Sequence, residues 1–103
     1  MTVEEIRAFI VSIDPDAQHY NSVVRSDNYT AWSEYELSDF MADNSHEGGY
    51  RFQIDRFTKS ESDPMVKQIM DALENADYIA FSYTVLQEPD TGYIHHIFDC
   101  EGA

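Results

Sequence analysis

The stretch Tyr50-Arg51-Phe52-Gln53-Ile54-Asp55-Arg56-Phe57-Thr58 decides how this chain folds. Successive side chains of a strand point to opposite faces. Tyr50, Phe52 and Ile54 therefore share one face, and Arg51, Gln53, Asp55 and Phe57 share the other. The alternation predicts a half-buried strand over 50–58. Upstream, 29–37 is rich in aromatic residues and holds Trp32. There Tyr29, Ala31, Tyr35 and Leu37 alternate imperfectly with Thr30, Glu34 and Glu36, which predicts a second strand. Downstream, 78–87 and 93–101 read as two strands around the turn Glu88-Pro89-Asp90-Thr91-Gly92, and so as a hairpin.

Helices flank this strand pattern. Thr2 and Glu5 form a T-x-x-E capping box, and Val3, Ile6, Ile10 and Ile13, with Phe9 beside them, make one apolar helical stripe. Asp14-Pro15 stops it, because the residue before proline avoids the α region. A helix is expected over 2–13. Asp63-Pro64 reads as a cap followed by proline at the first helical position. Val66, Ile69, Met70 and Leu73 form the stripe of a second helix that ends near Asn75. The polar stretch 16–28 reads as an irregular connection with His19 and Tyr20 as anchors. A long polar connection, 38–49, ends in His46-Glu47-Gly48-Gly49, which suits a hairpin tip or a functional loop. The expectation is a single α+β domain over 1–103 in the order α-β-β-α-β-β, an antiparallel sheet with two helices packed on one face.

Composition narrows the class. The chain has 103 residues, with 20 acidic against 6 basic side chains and a net charge of −14. A chain of this mass buries roughly 65% of its extended surface, enough for one core without disulfides or metal. The charge repels phosphates and anionic membranes, so stable nucleic-acid or membrane binding is not expected. It attracts a basic protein, or serves solubility alone. Cys100 is the single cysteine, which fits a reducing compartment. The start Met1-Thr2-Val3-Glu4-Glu5 lacks the features of a signal peptide, and no stretch approaches the roughly 18 apolar residues of a membrane span. The expectation is a cytoplasmic protein.

His95-His96 with Asp99 and Cys100 looks like a metal or nucleophile cluster. Strand geometry opposes this, because His95 and His96 point to opposite faces. His95 and Asp99 share a face but lie about 13 Å apart along the strand. Cys100 and His96 fall on the face of Ile94 and Phe98, the expected buried one. Only His19 or His46, brought in by folding, could complete a metal site. Phosphate-loop, dinucleotide, zinc-protease and C-x-x-C motifs are absent from the sequence. No cofactor, no metal and no catalytic residue is expected, and the chain does not read as an enzyme.

Arg51, Arg56 and Lys59 are half of the basic side chains, gathered in one segment. With Gln53, Asp55 and the loop residue His46 they are the candidate protein-interface residues, since charge of both signs suits a self-complementary or head-to-tail contact. The plainer reading is that they pair with neighbouring acids on a solvated sheet face. Seven tyrosines also favour an interface, or simply pack at the rim of the core.

The segment 50–59, an acidic spacer and helix, and the hairpin ending Tyr93-Ile94-His95-His96-Ile97-Phe98-Asp99 resemble small prophage proteins encoded among head–tail joining genes. The element order is similar to the tail terminator family of long-tailed phages, in which a "Q-hydrophobic-D" strand precedes the second helix, as Gln53-Ile54-Asp55 does here. The likeness covers about residues 29–101; the strong acidity and the short loop before the last hairpin depart from it. It implies a ring of self-associated subunits, usually six, that caps the tail tube and offers a surface to head-completion proteins. The location implied is the virion tail or neck, after assembly in the host cytoplasm. The alternatives are an acidic inhibitor or immunity-type protein that binds a basic toxin or nuclease, and a small metal-dependent enzyme using His95 or His96.

Overall fold

The computed structural model describes residues 1–20, 27–36 and 50–102. Helix α1 spans Val3–Ile13, β1 Gln18–His19, β2 Tyr29–Glu36 and β3 Tyr50–Thr58; α2 spans Pro64–Asn75, β4 Ile79–Glu88 and β5 Tyr93–Gly102. The fold is α+β: a five-stranded mixed sheet in the order β1-β2-β3-β5-β4, with two helices. β1 runs parallel to β2, and the other neighbours are antiparallel.

The expected α-β-β-α-β-β order and purely antiparallel sheet are corrected by β1. Its two residues pair as Gln18↔Ala31 and His19↔Trp32, and the Tyr20 amide donates to the Trp32 carbonyl at 2.7 Å. Tyr20 then adopts a left-handed backbone, φ 61°, which ends the strand. Two residues cannot display a period of two, so 16–28 read as irregular. The pairing is a long-range event that local pattern does not encode.

The local signals at the helix ends are present. The Glu5 amide donates to Thr2 Oγ1 at 3.1 Å, and the Thr2 amide donates to Glu5 Oε1 at 2.9 Å. Asp63 precedes α2 with Pro64 at the first position, but its carboxylate makes no cap bond. It is used elsewhere, by Arg56.

The stripes of both helices meet one face of the sheet. Ile6 and Ile10 of α1 and Ile69 and Leu73 of α2 are buried with Trp32, Phe52, Ile54, Phe98 and Cys100. The register aligns Trp32, Ile54 and Phe98 in one cross-strand row, and Phe52 with Cys100 in the next. Arg56 lies on this same face, at the end of the core, and is 9% exposed. Its Nε donates to Asp63 Oδ2 at 2.8 Å and its Nη1 to Thr30 Oγ1 at 3.1 Å. Asp14, the residue that caps the end of α1, lies 3.7 Å from Nη1. One guanidinium thus ties the end of α1 and the start of α2 to the sheet.

Cys100 is fully buried and its thiol is pushed up to about 12, by burial first and by the Asp99 carboxylate second. A thiol that stays protonated is a poor nucleophile. The folded protein should therefore leave a disulfide reagent such as dithionitrobenzoate unconsumed near pH 8, and consume one equivalent once denatured. Stoichiometric reaction of the native protein within seconds would contradict this burial.

Candidate functional site

Among the described residues, the second face of the sheet carries no helix. The register places Tyr29, Ala31, Ser33 and Tyr35 of β2 on it, beside Phe57, Asp55, Gln53 and Arg51 of β3. His95, Ile97, Asp99 and Glu101 of β5 continue the rows, and β4 adds Leu86, Thr84, Ser82 and Ala80.

One end of this face is aromatic. Tyr29 stacks on Phe57 at 4.7 Å, Phe57 stacks on His95 at 4.2 Å, and Tyr93 meets Tyr29 and Phe57 edge-on. Tyr29, Ala31, Phe57 and Tyr93 form a second buried cluster. Lys59 crosses its edge, with Nζ donating to the Thr91 carbonyl and lying 3.9 Å from the Tyr93 ring centroid. The middle of the face is polar. Gln53 Nε2 donates to Asp55 Oδ1 at 2.8 Å, and His95 Nε2 lies 2.7 Å from the same oxygen. His95 Nδ1 is 3.4 Å from Glu88. Carboxylate oxygens of two different strands thus lie beside the two ring nitrogens.

The other end holds Arg51. Its guanidinium lies 3.5 Å from Asp99 and 5.7 Å from the Tyr35 ring centroid, while Tyr35 Oη donates to Asp99 Oδ1 at 2.9 Å. The Arg51 side chain is 34% exposed, and its Nε is buried with no hydrogen-bond partner among the described residues.

Of the interface candidates, Arg51, Gln53 and Asp55 come together on this face. Arg56 does not join them, because its even register turns it into the ion-paired core edge, and Lys59 lies beyond the strand end over Tyr93. The three basic residues therefore form no common cluster. His46 and the 38–49 loop lie outside the described residues. Sequence reasoning did not pick out Tyr35 and Asp99 as partners of Arg51. They come from separate strands, and the only signal was that Asp99 shares the helix-free face with His95.

His95 and His96 point to opposite faces, as strand geometry requires. His96 lies on the helix side, where Tyr83 Oη is 2.7 Å from its Nδ1. Burial holds this imidazole below the usual histidine range. Asp63 opposes that shift, and His95 and Arg56 add to it. In the neutral ring with its proton on Nε2, Nδ1 accepts a hydrogen bond from the Tyr83 hydroxyl. Since the folded value is depressed, the unfolded chain takes the proton first. Stability present above the ordinary histidine value, about 6.5, should fall as pH drops through it toward the folded value. Urea melts between pH 5 and 8 should show this slope, flattened in His96→Gln; identical slopes would remove His96 from the linkage.

Among the described residues no group of three His, Cys, Asp or Glu side chains is placed to hold a metal ion. No described helix is long and apolar enough to cross a membrane. No protein-family model matches the chain, and no curated protein is significantly similar to it.

Proposed function

We propose that this chain works by assembling with other protein chains, as a tail-terminator or neck-type subunit that closes into a ring on a phage tail tube and presents a docking surface to the head. The supporting observation is the helix-free face, where Arg51, Asp99, Asp55 and Tyr35 set both signs of charge and an exposed aromatic side by side. Identical chains of net charge −14 repel, so association needs basic groups placed against acids of the neighbour. Arg51 is partly exposed, and its Nε is a buried donor without a described partner, which suits that role. A head-to-tail contact of this kind closes by rotation into a ring. An acidic lumen would let DNA pass without adhering.

The test is Arg51→Glu. The variant should fold with a stability change within about 1 kcal/mol, as expected for an exposed pair. It should lose rings that the wild type forms when salt of about 1 M shortens the screening length to roughly 3 Å. Circular dichroism reads the fold; sedimentation and negative-stain microscopy read the ring. Rings from the variant would take Arg51 out of the interface. A wild type that stays monomeric in all salt, and binds one basic protein tightly, would favour the inhibitor reading instead.

A further inference from the structure

β4 is a ten-residue edge strand. Among the described residues its only strand partner is β5. Natural edges are protected by lysines, prolines, bulges or shortness. The opposite edge, β1, is two residues long; β4 has none of these devices. From Tyr78 to Gln87 the sequence is Tyr-Ile-Ala-Phe-Ser-Tyr-Thr-Val-Leu-Gln, without one charge, in a chain that is 25% charged. Tyr78, Tyr83, Val85 and Leu86 are 38–51% exposed and account for most of the exposed large apolar side chains among the described residues.

The helix side of this edge is not neutral. A shallow groove of about 690 Å³ runs between α2 and the hairpin. Its floor includes Val66, Met70 and Tyr83, and its rim includes Glu61, Asp71 and Glu74. Lys67, the one basic residue in its wall, is tied to Asp71 at 2.7 Å. Val85 extends the floor, since it pairs with His96 and so faces the same side.

We infer that the β4 edge takes an extended, basic segment of a different protein as a sixth strand. Main-chain hydrogen bonds to an edge uncharged as far as Gln87 supply affinity, and alternate side chains supply selectivity. Side chains of the added strand that turn to the helix side meet an apolar floor inside an acidic rim. Lysine or arginine fits both, with its stem on Tyr83 and Val85 and its charge at Asp71 and Glu74. Side chains that turn the other way meet Leu86 and are matched by aliphatic residues. The occupant is therefore a segment in which basic and aliphatic residues alternate. A second copy of this chain is disfavoured, because its own β4 would bring a second acidic rim to the first. This inference stands independently of the ring, which uses the helix-free face.

The probe is a fluorescent peptide of alternating lysine and valine, roughly ten residues long to match the strand. Its binding is read by polarisation at moderate salt. Three results are expected. A peptide of equal charge with proline at every third position binds at least about tenfold more weakly. Val85→Lys and the pair Asp71→Lys with Glu74→Lys each weaken binding by about tenfold or more. The pair Asp16→Lys with Asp27→Lys, which makes the same change in net charge beside β1 and β2 at the other edge of the sheet, changes it less than about threefold. Circular dichroism confirms that each variant is folded, and the proline comparison needs no variant. Equal weakening by both reversed pairs would reduce the binding to net charge and overturn the proposal. So would a wild-type dimer in sedimentation that Val85→Lys converts to monomer, because the edge would then belong to a second copy.

Discussion

Replacing Arg56 by methionine should destabilise the fold by about 3–5 kcal/mol, the usual result of removing one partner of a buried ion pair. Arg56 is 9% exposed, and its guanidinium donates twice to Asp63 and once to Thr30 and has Asp14 at 3.7 Å. Methionine fills much of the same volume, so the loss is chiefly electrostatic: the Asp63 and Asp14 side chains remain 6% and 9% exposed with no counter-charge from the sheet. A domain of this size has about 5–15 kcal/mol in total, so the loss is a large share of the whole and should lower the urea midpoint markedly. The double variant Arg56→Met with Asp63→Asn should recover a substantial part of the loss. It removes one stranded charge and leaves an amide able to cap α2, a role the Asp63 carboxylate gives up in the native protein. Urea denaturation measures both. An Arg56→Met midpoint equal to the wild type would mean that Arg56 does not link the two helices to the sheet. The result also bears on assembly: a reversed charge at Arg56 that abolished rings would report unfolding, so Arg51 is the informative position.

Phe98→Ala is expected to cost about 3–5 kcal/mol through lost transfer energy and the cavity left behind. Phe98 is fully buried on β5, which lies between β3 and β4. It stands opposite Ile54 and Tyr83 in the ladder, with the Tyr83 ring centroid 4.9 Å away. Collapse around the cavity is restricted, because β5 is held by hydrogen bonds on both edges and the helices lie above. Val85→Ala, on the same face but 45% exposed, serves as the comparison and should change stability by no more than about 0.5 kcal/mol. Equal effects at both sites in a chemical melt would show that the helix face is not the principal core.

Much of this architecture follows from short-range physics and was legible in the residues. The capping box at Thr2 and Glu5, the helical stripes and the period-two alternation of 50–58 each act within a few residues. The expected elements accordingly match α1, β3 and α2 to within a residue, and the hairpin strands to within one residue at each end. Burial of Cys100 and the opposed directions of His95 and His96 came from the same alternation. Arg56 shows where this reading stopped. It stood beside Arg51 and Lys59 in a basic-looking segment, yet alternation alone sends it to the face opposite Arg51. Its partners Asp14 and Asp63 lie at the ends of two helices, and only packing brings them together.

The chain by itself determined the helix and strand segments, the core face of the central strand and an overall charge that opposes phosphate binding, because propensity, capping, alternation and net charge are properties of neighbouring residues or of composition. Tertiary structure alone decided the parallel β1, the Arg51–Tyr35–Asp99 grouping and the placing of β4, uncharged as far as Gln87, at the sheet edge beside the acidic flank of α2. Each depends on which strands become neighbours. That order is set by long-range packing, and a single sequence read locally does not contain it.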